Sequence, residues 1–535
     1  MKQFKKFTII GLFACLLAFN GCEDWLNVPP KDRVLEEEQF ATETRINSAL
    51  NGLYRSMAQN SLYGATLTQT FIEYMARFYA FMNTDTPNPP AMTTWSLASR
   101  WQFDQRETRN VIQSTWGDAF RTILEINIFI DNVTETDAVR PERRDIMLGE
   151  AYALRAFMHF DMFRLFGPIM GLDPTAPSIP FADSREIVSR ERLPANVLIE
   201  RVLQDLNRAE QLLKNDPVRT RGVNDNFHEV STNHALLPEE INAYYFRNRR
   251  MNFYAVRALR ARVLLHAGEF NEAREVAREV LAEATAPREN GGREFRWETN
   301  RAQILGNNNF MFYNEVLFGI TNPAQHSNWT RFFDGTRLGH THVVAAGNLF
   351  GNIFGVTGPQ QDLNEVQQID IRAGQWRQSN IPNSTTSGQN PGAEGNNTFI
   401  STKFRQPENW ADPGARYMID FQPLIRLSEL PLIIAEVYFA ENNMAQTAHY
   451  INIVRANRGA TADHLVDTID DVWGYLRRQV YGEFVGEGQA FFFLKRNASE
   501  TIFLGSNTGF IHYSNLHSDI RDIYVLPLPD TEVII

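Results

Sequence analysis

Residues Met251–Ala284 read MNFYAVRALRARVLLHAGEFNEAREVAREVLAEA. Phe253, Val256, Leu259, Val263 and Ala267 recur at steps of three or four, and Ala273, Val276, Val280 and Ala284 repeat that spacing beyond Gly268–Glu269–Phe270. Such spacing makes two apolar helical stripes joined by a tight turn. The small Ala255, Ala258, Ala261 and Ala273 let the two helices approach closely. A hairpin of this kind cannot bury its apolar face alone, so it needs stacked neighbours.

A second copy stands 174 residues further along. Arg426–Gly459, RLSELPLIIAEVYFAENNMAQTAHYINIVRANRG, aligns Ala435 with Ala261, Val437 with Val263 and Met444 with Phe270, which puts Asn442–Asn443 on the turn Gly268–Glu269. Pro431 is compatible with a helix if Ser428 is the N-cap, because a first-turn N–H has no partner to lose. The unit is 34 residues long, the tetratricopeptide period. Further helical spacing covers Glu36–Gln59, Trp116–Val133, Pro141–Phe166 and Pro194–Leu213. On Pro141–Phe166 the stripe runs from small Gly149, Ala153 and Ala156 to large Phe160 and Phe163, and Gly167–Pro168 ends it with a C-cap glycine and a residue that cannot donate. The predicted fold is mainly α, a TPR-like helical-repeat scaffold.

Two stretches interrupt the periodicity. Arg77–Gln113 is rich in aromatic residues, Asn and Pro, and Thr86–Pro87–Asn88–Pro89–Pro90 cannot continue a helix. From about Arg288 to Asp412 the pattern disappears apart from the strand-like Glu315–Ile320, leaving Gly- and Asn-rich pieces such as Thr385–Thr398. A region this long is not one loop; it predicts an irregular lobe of short helices and hairpins inserted between repeats. Asn215–Glu240 reads as a polar loop.

The formal net charge is −11, and without Lys2, Lys5 and Lys6 of the leader the remainder carries −14, which argues against a nucleic-acid partner. Cys15 and Cys22 are the only two cysteines, so the body supports neither a disulfide framework nor a thiolate metal site. The basic start and the apolar run Phe7–Phe19 make residues 1–21 a secretory signal peptide, too short in its apolar part to span a membrane comfortably. Gly21–Cys22 then provides a site for lipidation at Cys22; Cys15 is the competing site, but cleavage there would leave Leu16–Phe19 exposed. Residues 22–35, with Val28–Pro29–Pro30, form an extended tether.

No phosphate loop, dinucleotide turn, zinc helix or nucleophile elbow is present, and no cofactor is implied. His340–Thr341–His342 is a lone pair without a third ligand, better read as surface. What remains is aromatic residues in polar, irregular segments: Trp95 and Trp101 in the first interruption, Trp297, Tyr313 and Trp329 in the second. A flat ring stacks on the C–H face of a sugar while adjacent amides and guanidinium groups bond its hydroxyls, a role open to Arg77, Asn328 and Arg331. The competing place for each ring is a local core beneath a long loop. Trp116 and Trp473 sit at helical spacing and belong to the core.

Several of these stretches carry a resemblance. CEDWLNVPP (Cys22–Pro30), the spacing Trp116, Phe120, Ile123, Asn127, the segment EAYALRAFMHFDMFRLFGP (Glu150–Pro168), RLSEL (Arg426–Leu430), GEFVGEGQAFFFLKR (Gly482–Arg496) and VLPLPDTEV (Val525–Val533) resemble the SusD/RagB outer-membrane lipoproteins. Ala490 and Phe493 depart from that pattern, standing where Arg and Asp are usual; losing both partners is less costly than losing one, so an apolar contact is expected in place of an ion pair. The resemblance implies a non-catalytic, surface-exposed lipoprotein that binds oligosaccharide. It implies a SusC-like TonB-dependent barrel as partner, which the lipoprotein closes as a hinged lid. A peptide ligand, as for RagB-like members, and a helical glycoside hydrolase are the alternatives. The resemblance also divides the chain into an N-terminal helical region at 36–287, the irregular ligand-binding lobe at 288–425 and a C-terminal region at 426–535 that completes the scaffold.

Overall fold

The computed structural model describes residues 31–79, 94–223, 245–288, 292–333, 344–345, 353–354, 363–378, 398–406, 418, 420–460, 472–503, 510–515 and 517–533. Cys15, Cys22 and the His340–His342 pair lie outside the described residues, as does most of Asn215–Glu240.

Ten helices make the scaffold: α1 (Glu43–Met57), α2 (Arg106–Thr134), α3 (Pro141–Phe166), α4 (Ala195–Leu212), α5 (Phe253–Ala267), α6 (Phe270–Thr285), α7 (Glu429–Ala440), α8 (Met444–Asn457), α9 (Val472–Glu483) and α10 (Gln489–Arg496). From α1 to α10 each helix packs on the next, the nearest-neighbour stacking of a repeat solenoid. The chain leaves this stack after α6 and re-enters at α7, yet α6 and α7 pack directly on each other. The lobe is therefore inserted at a joint between two helix pairs without prising them apart.

The two predicted repeats correspond at their turns. Gly268 (φ +84°) and Asn442 (φ +58°) are left-handed at equivalent positions, and Glu269 and Asn443 are the N-caps that start α6 and α8. Glycine enters that conformation freely, and Asn is among the few other residues that tolerate it. Ala255, Ala258, Ala261 and Ala273 are all buried where the pair closes. Gly149 on α3 serves the same end: a Cβ there would lie 2.6 Å from Leu213 Cγ, so the end of α4 could not sit where it does.

The structure corrects several expectations. Glu36–Gln59 is two helices, Lys31–Gln39 and α1, because Thr42 caps a fresh start by accepting from Arg45 N. Arg77–Gln113 is not all irregular, since α2 begins at Arg106, where a solvated polar face hid the period. Helix α3 is buried nearly all round rather than along one stripe. Gly167 ends it in an extended conformation (φ −75°, ψ 167°), not a left-handed cap. Ser428 does hold the N-cap position of α7, but its side chain makes no cap bond and its Oγ is buried without a partner.

The lobe is closed at its base by β1 (Val316–Thr321) pairing antiparallel with β5 (Phe421–Arg426). Inside it, β2 (Val344–Ala345), β4 (Thr398–Ser401) and β3 (Trp376–Gln378) form a small antiparallel sheet in that order. One contiguous core runs through the stack and into the lobe. Trp116 is edge-on to Phe166 at 4.8 Å, and Trp473 is stacked between Phe439 and Phe493, so both belong to the core. Phe493 and Ala490 are buried, with the Phe493 ring 5.0 Å from Trp473. No helix among the described residues is long and apolar enough to cross a membrane.

Candidate ligand-binding site

A short buried helix, Phe71–Met75, anchors the site and touches both α10 and a second short helix, Thr94–Ser99. The chain turns after each short helix through a left-handed, non-glycine residue: Arg77 (φ +56°) and Trp101 (φ +53°). Bulky side chains are strained there and persist only when their surroundings fix them. Each segment fixes the other. Trp101 Nε1 donates to Met75 O (3.0 Å), Arg77 Nη1 donates to Ser99 O (3.1 Å), and the Arg77 guanidinium lies 5.6 Å from the Trp101 ring.

Trp95 comes from the second short helix. Its ring stacks on Tyr74 at 5.6 Å with 17° between planes, Phe332 meets it edge-on at 6.1 Å, and it is only half-buried. Phe332 belongs to the helix Gln325–Phe333, so rings from both interruptions converge here. Arg331 is exposed, its guanidinium 5.4 Å from the Phe332 ring.

The other expected residues have other places. Asn328 is buried, donating to Asn60 Oδ1 (3.0 Å) and Gly64 O (2.9 Å). Trp329 is 7% exposed and donates to Ser401 O (2.9 Å). Tyr313 is buried with its ring 5.2 Å from Phe421, and half-buried Trp297 has the Arg458 guanidinium 5.6 Å away. Trp101, Trp329, Tyr313 and Asn328 thus fill the local interiors that competed with ligand contact for them. Tyr74, Phe78, Phe332 and Trp376 escaped sequence reasoning. Phe78 stacks between Trp376 (5.9 Å) and Tyr481 (5.8 Å), and the Tyr481 hydroxyl donates to Ala76 O. The one available signal was the Arg331–Phe332–Phe333 run, which carries rings past the end of the Asn-Trp-Thr-Arg segment.

Beneath these aromatics lies a buried ion network that ties lobe to stack. Arg458 holds Glu315 with two bonds of 2.7 Å, Arg426 donates to Glu483 (2.6 Å) and Glu487 (2.9 Å), Arg372 reaches Glu483 (3.1 Å), and Lys403 pairs with Glu487. With Asp370 bonded to Arg372, four cations face four carboxylates. Burial works against the ionised form of Glu483, but Arg458 and Arg426 hold it well below the usual carboxylate range. Glu73, on the anchoring helix, goes the other way. Burial raises it to about 8, despite bonds of 3.1 Å from Gly486 N and Gly488 N to its Oε1. At neutral pH it is a neutral acid. No cluster of three or more histidine, cysteine or acidic residues among the described residues could hold a metal ion.

Comparison with known proteins agrees with this architecture. A SusD-like family model described as starch-binding, associating with outer membrane, matches residues 24–224, and the SusD family model matches 312–533. SusD-like protein P38 of Formosa agariphila is 28% identical over 216 residues, which are 40% of this chain and 39% of that protein. SusD-like protein P25 of the same organism is 26% identical over 156 residues, 29% of this chain and 28% of that protein. The alignment thus spans about two fifths of the first relative's length. A SusD superfamily structure from Bacteroides fragilis superimposes with a TM-score of 0.64 at 17% identity, covering 93% of this chain and 98% of the other. A laminarin-binding SusD-like protein does so with a TM-score of 0.57 at 16% identity, covering 92% and 97%. These two structures share the fold.

Proposed function

The chain belongs to the SusD/RagB family, and from that premise we propose that it is a surface lipoprotein which binds oligosaccharide and delivers it to a SusC-like TonB-dependent barrel. The observation that carries the ligand reading is the half-buried Trp95 ring, stacked on Tyr74 and met edge-on by Phe332, where rings from both interruptions converge. Arg331 is exposed on the helix that carries Phe332, so rings and a hydrogen-bond donor meet in one region, the pairing that a sugar requires. Arg77 and Trp101 hold that platform in place, and Asn328 and Trp329 set the helix that carries Phe332 and Arg331. Tyr313 is buried against Phe421, and half-buried Trp297 lies over Arg458. The starch-binding description of the matching family and the laminarin-binding neighbour support the ligand class.

In this reading Cys22 carries the lipid, and the tether enters the body through the helix Lys31–Gln39. Glu36 on that helix is gripped by Arg185 through two bonds of 2.7 Å and by Asn132 at 2.7 Å. Any hinge of a lid therefore lies ahead of that clamp, in the Pro-interrupted tether. The protein retains its ligand and does not cleave it. Incubation with maltohexaose and laminarihexaose tests this: binding of at least one with no new reducing ends is expected. Appearance of reducing ends would make it a hydrolase.

A further inference from the structure

The helix Gln325–Phe333 carries two rings three residues apart, Trp329 and Phe332, so they are neighbours along its surface. A guanidinium attends each. Arg377, from β3, lies 5.9 Å from the Trp329 ring centre, and Arg331 lies 5.4 Å from that of Phe332, the ring that meets Trp95 edge-on. Both arginine side chains are exposed, and neither is ion-paired among the described residues.

The segment that supplies Tyr74 repeats the pattern. Arg77 is half-buried against the Trp101 ring with no carboxylate partner among the described residues, and the charge that acts on it most is another cation, Arg100. Burial and that like charge lower Arg77 from the ordinary guanidinium range. Glu73, on the same segment, supplies no counter-charge at neutral pH, because burial on Gly486 N and Gly488 N keeps it protonated. The indole N–H of Trp376, which stacks on Phe78 beside Arg77, is buried without an acceptor.

Four cations thus gather at one group of rings without an acid among them, in a chain whose formal net charge is −11. Several other arginines that lie over rings are neutralised: Arg164 by Asp161, Arg257 by Glu279 and Glu283, Arg274 by Glu441. Cations left uncompensated are costly where they are buried, and they suit a ligand that brings the missing charge. A guanidinium resting on a ring presents a preformed fork of N–H donors, which meets a carboxylate or a sulfate ester in two parallel bonds.

We propose that the platform selects acidic oligosaccharides, with Arg331 and Arg377 as the residues that read the anionic substituent, a uronate carboxylate or a sulfate ester. The proposal rests on the platform reading and adds the charge of the ligand to it: the rings take the sugar face, and the two guanidinium groups supply the preference.

The test is calorimetric titration of the mature full-length protein with laminarihexaose, with the same hexaose carrying sulfate esters, and with hexagalacturonate. At least one acidic probe is expected to bind about tenfold more tightly than laminarihexaose, a margin that two exposed charge pairs can supply. Which of the two does so identifies the substituent. The margin should shrink as ionic strength rises. The Arg331→Gln, Arg377→Gln double variant keeps a donor at each place and should bring acidic and neutral affinities to within about twofold of each other at an unchanged melting temperature. Trp95→Ala should weaken the acidic probe too. The proposal is overturned if neither acidic probe outbinds laminarihexaose, if the double variant keeps the margin, or if Trp95→Ala leaves acidic binding intact. The first two results leave the platform reading standing, whereas binding of no probe, maltohexaose included, would overturn both.

Discussion

The helical stack and the inserted lobe differ in how their charges are joined. In the stack, each helix covers the apolar face of its neighbour, its buried ion pairs such as Arg155–Asp205 and Arg164–Asp161 are separate small sets, and outer pairs such as Arg260 with half-exposed Glu272 reach solvent. In the lobe, apolar helical faces are short, as on Gln325–Phe333, and one connected set of four buried cations and four buried carboxylates binds it to α8 and α9. A repeat stack tolerates loss of a surface charge. A lobe fastened by a closed set of desolvated charges does not, because breaking one pair leaves the others uncompensated.

The largest effect should therefore follow Glu483→Ala, which removes the carboxylate shared by Arg372, Arg426 and Arg458 and leaves four buried cations facing three carboxylates. A loss of about 3–5 kcal/mol is expected, read from urea unfolding of the soluble body. A loss below about 1 kcal/mol would erase the contrast between the two regions. Trp329→Ala comes next, removing a buried ring and its bond to Ser401. It should cost about 3 kcal/mol, near the lower end for deleting a buried aromatic, and ligand affinity with it only as the platform loosens.

Glu73 sharpens the comparison through pH. Its folded value is raised to about 8 from 4.5, so between those limits the folded protein keeps a proton that the unfolded chain has lost. Stability must then fall as pH rises through that window, by up to roughly 1.4 kcal/mol per pH unit. His159, pushed down to about 3 by burial, acts oppositely and lowers stability as pH falls below 6.5. Glu73→Gln keeps an acceptor for Gly486 N and Gly488 N. It should flatten the alkaline limb of a melting-temperature profile and leave the acid limb in place. An unchanged alkaline limb would show that Glu73 is ionised in the folded state. At the small end, Glu272→Ala on the stack should change stability by no more than about 0.5 kcal/mol.

What was legible in the sequence follows the same division. Met251–Ala284 and Arg426–Gly459 declared their helices and their turn, because stacking depends on local spacing. Helix α3 was placed at its observed ends, but the burial of its Glu150, Arg155 and Asp161 depends on Arg247, Asp205 and Arg164, partners that local spacing does not show. The first three turns of α2 were lost for want of an apolar period. In the lobe, partners lie far apart along the chain: Glu315 meets Arg458 and Trp95 meets Phe332. Composition marked the aromatics as notable but could not separate half-buried Trp95 from buried Trp329, whose N–H is spent on Ser401. The stretches that carried the family resemblance, around Arg426 and Glu483–Glu487, are the ion network itself. Their signal was architectural, and the binding face is written in residues with no fixed spacing.

Calorimetric titration of the Trp95→Ala protein beside wild type, with whichever of maltohexaose and laminarihexaose the wild type binds, meets the central claim most directly. A tenfold or greater loss of affinity for the long ligand, about 1.4 kcal/mol, at an unchanged melting temperature is what a half-buried ring stacked on Tyr74 predicts if it contacts the ligand. Unaltered affinity, or a variant that no longer folds, would contradict it.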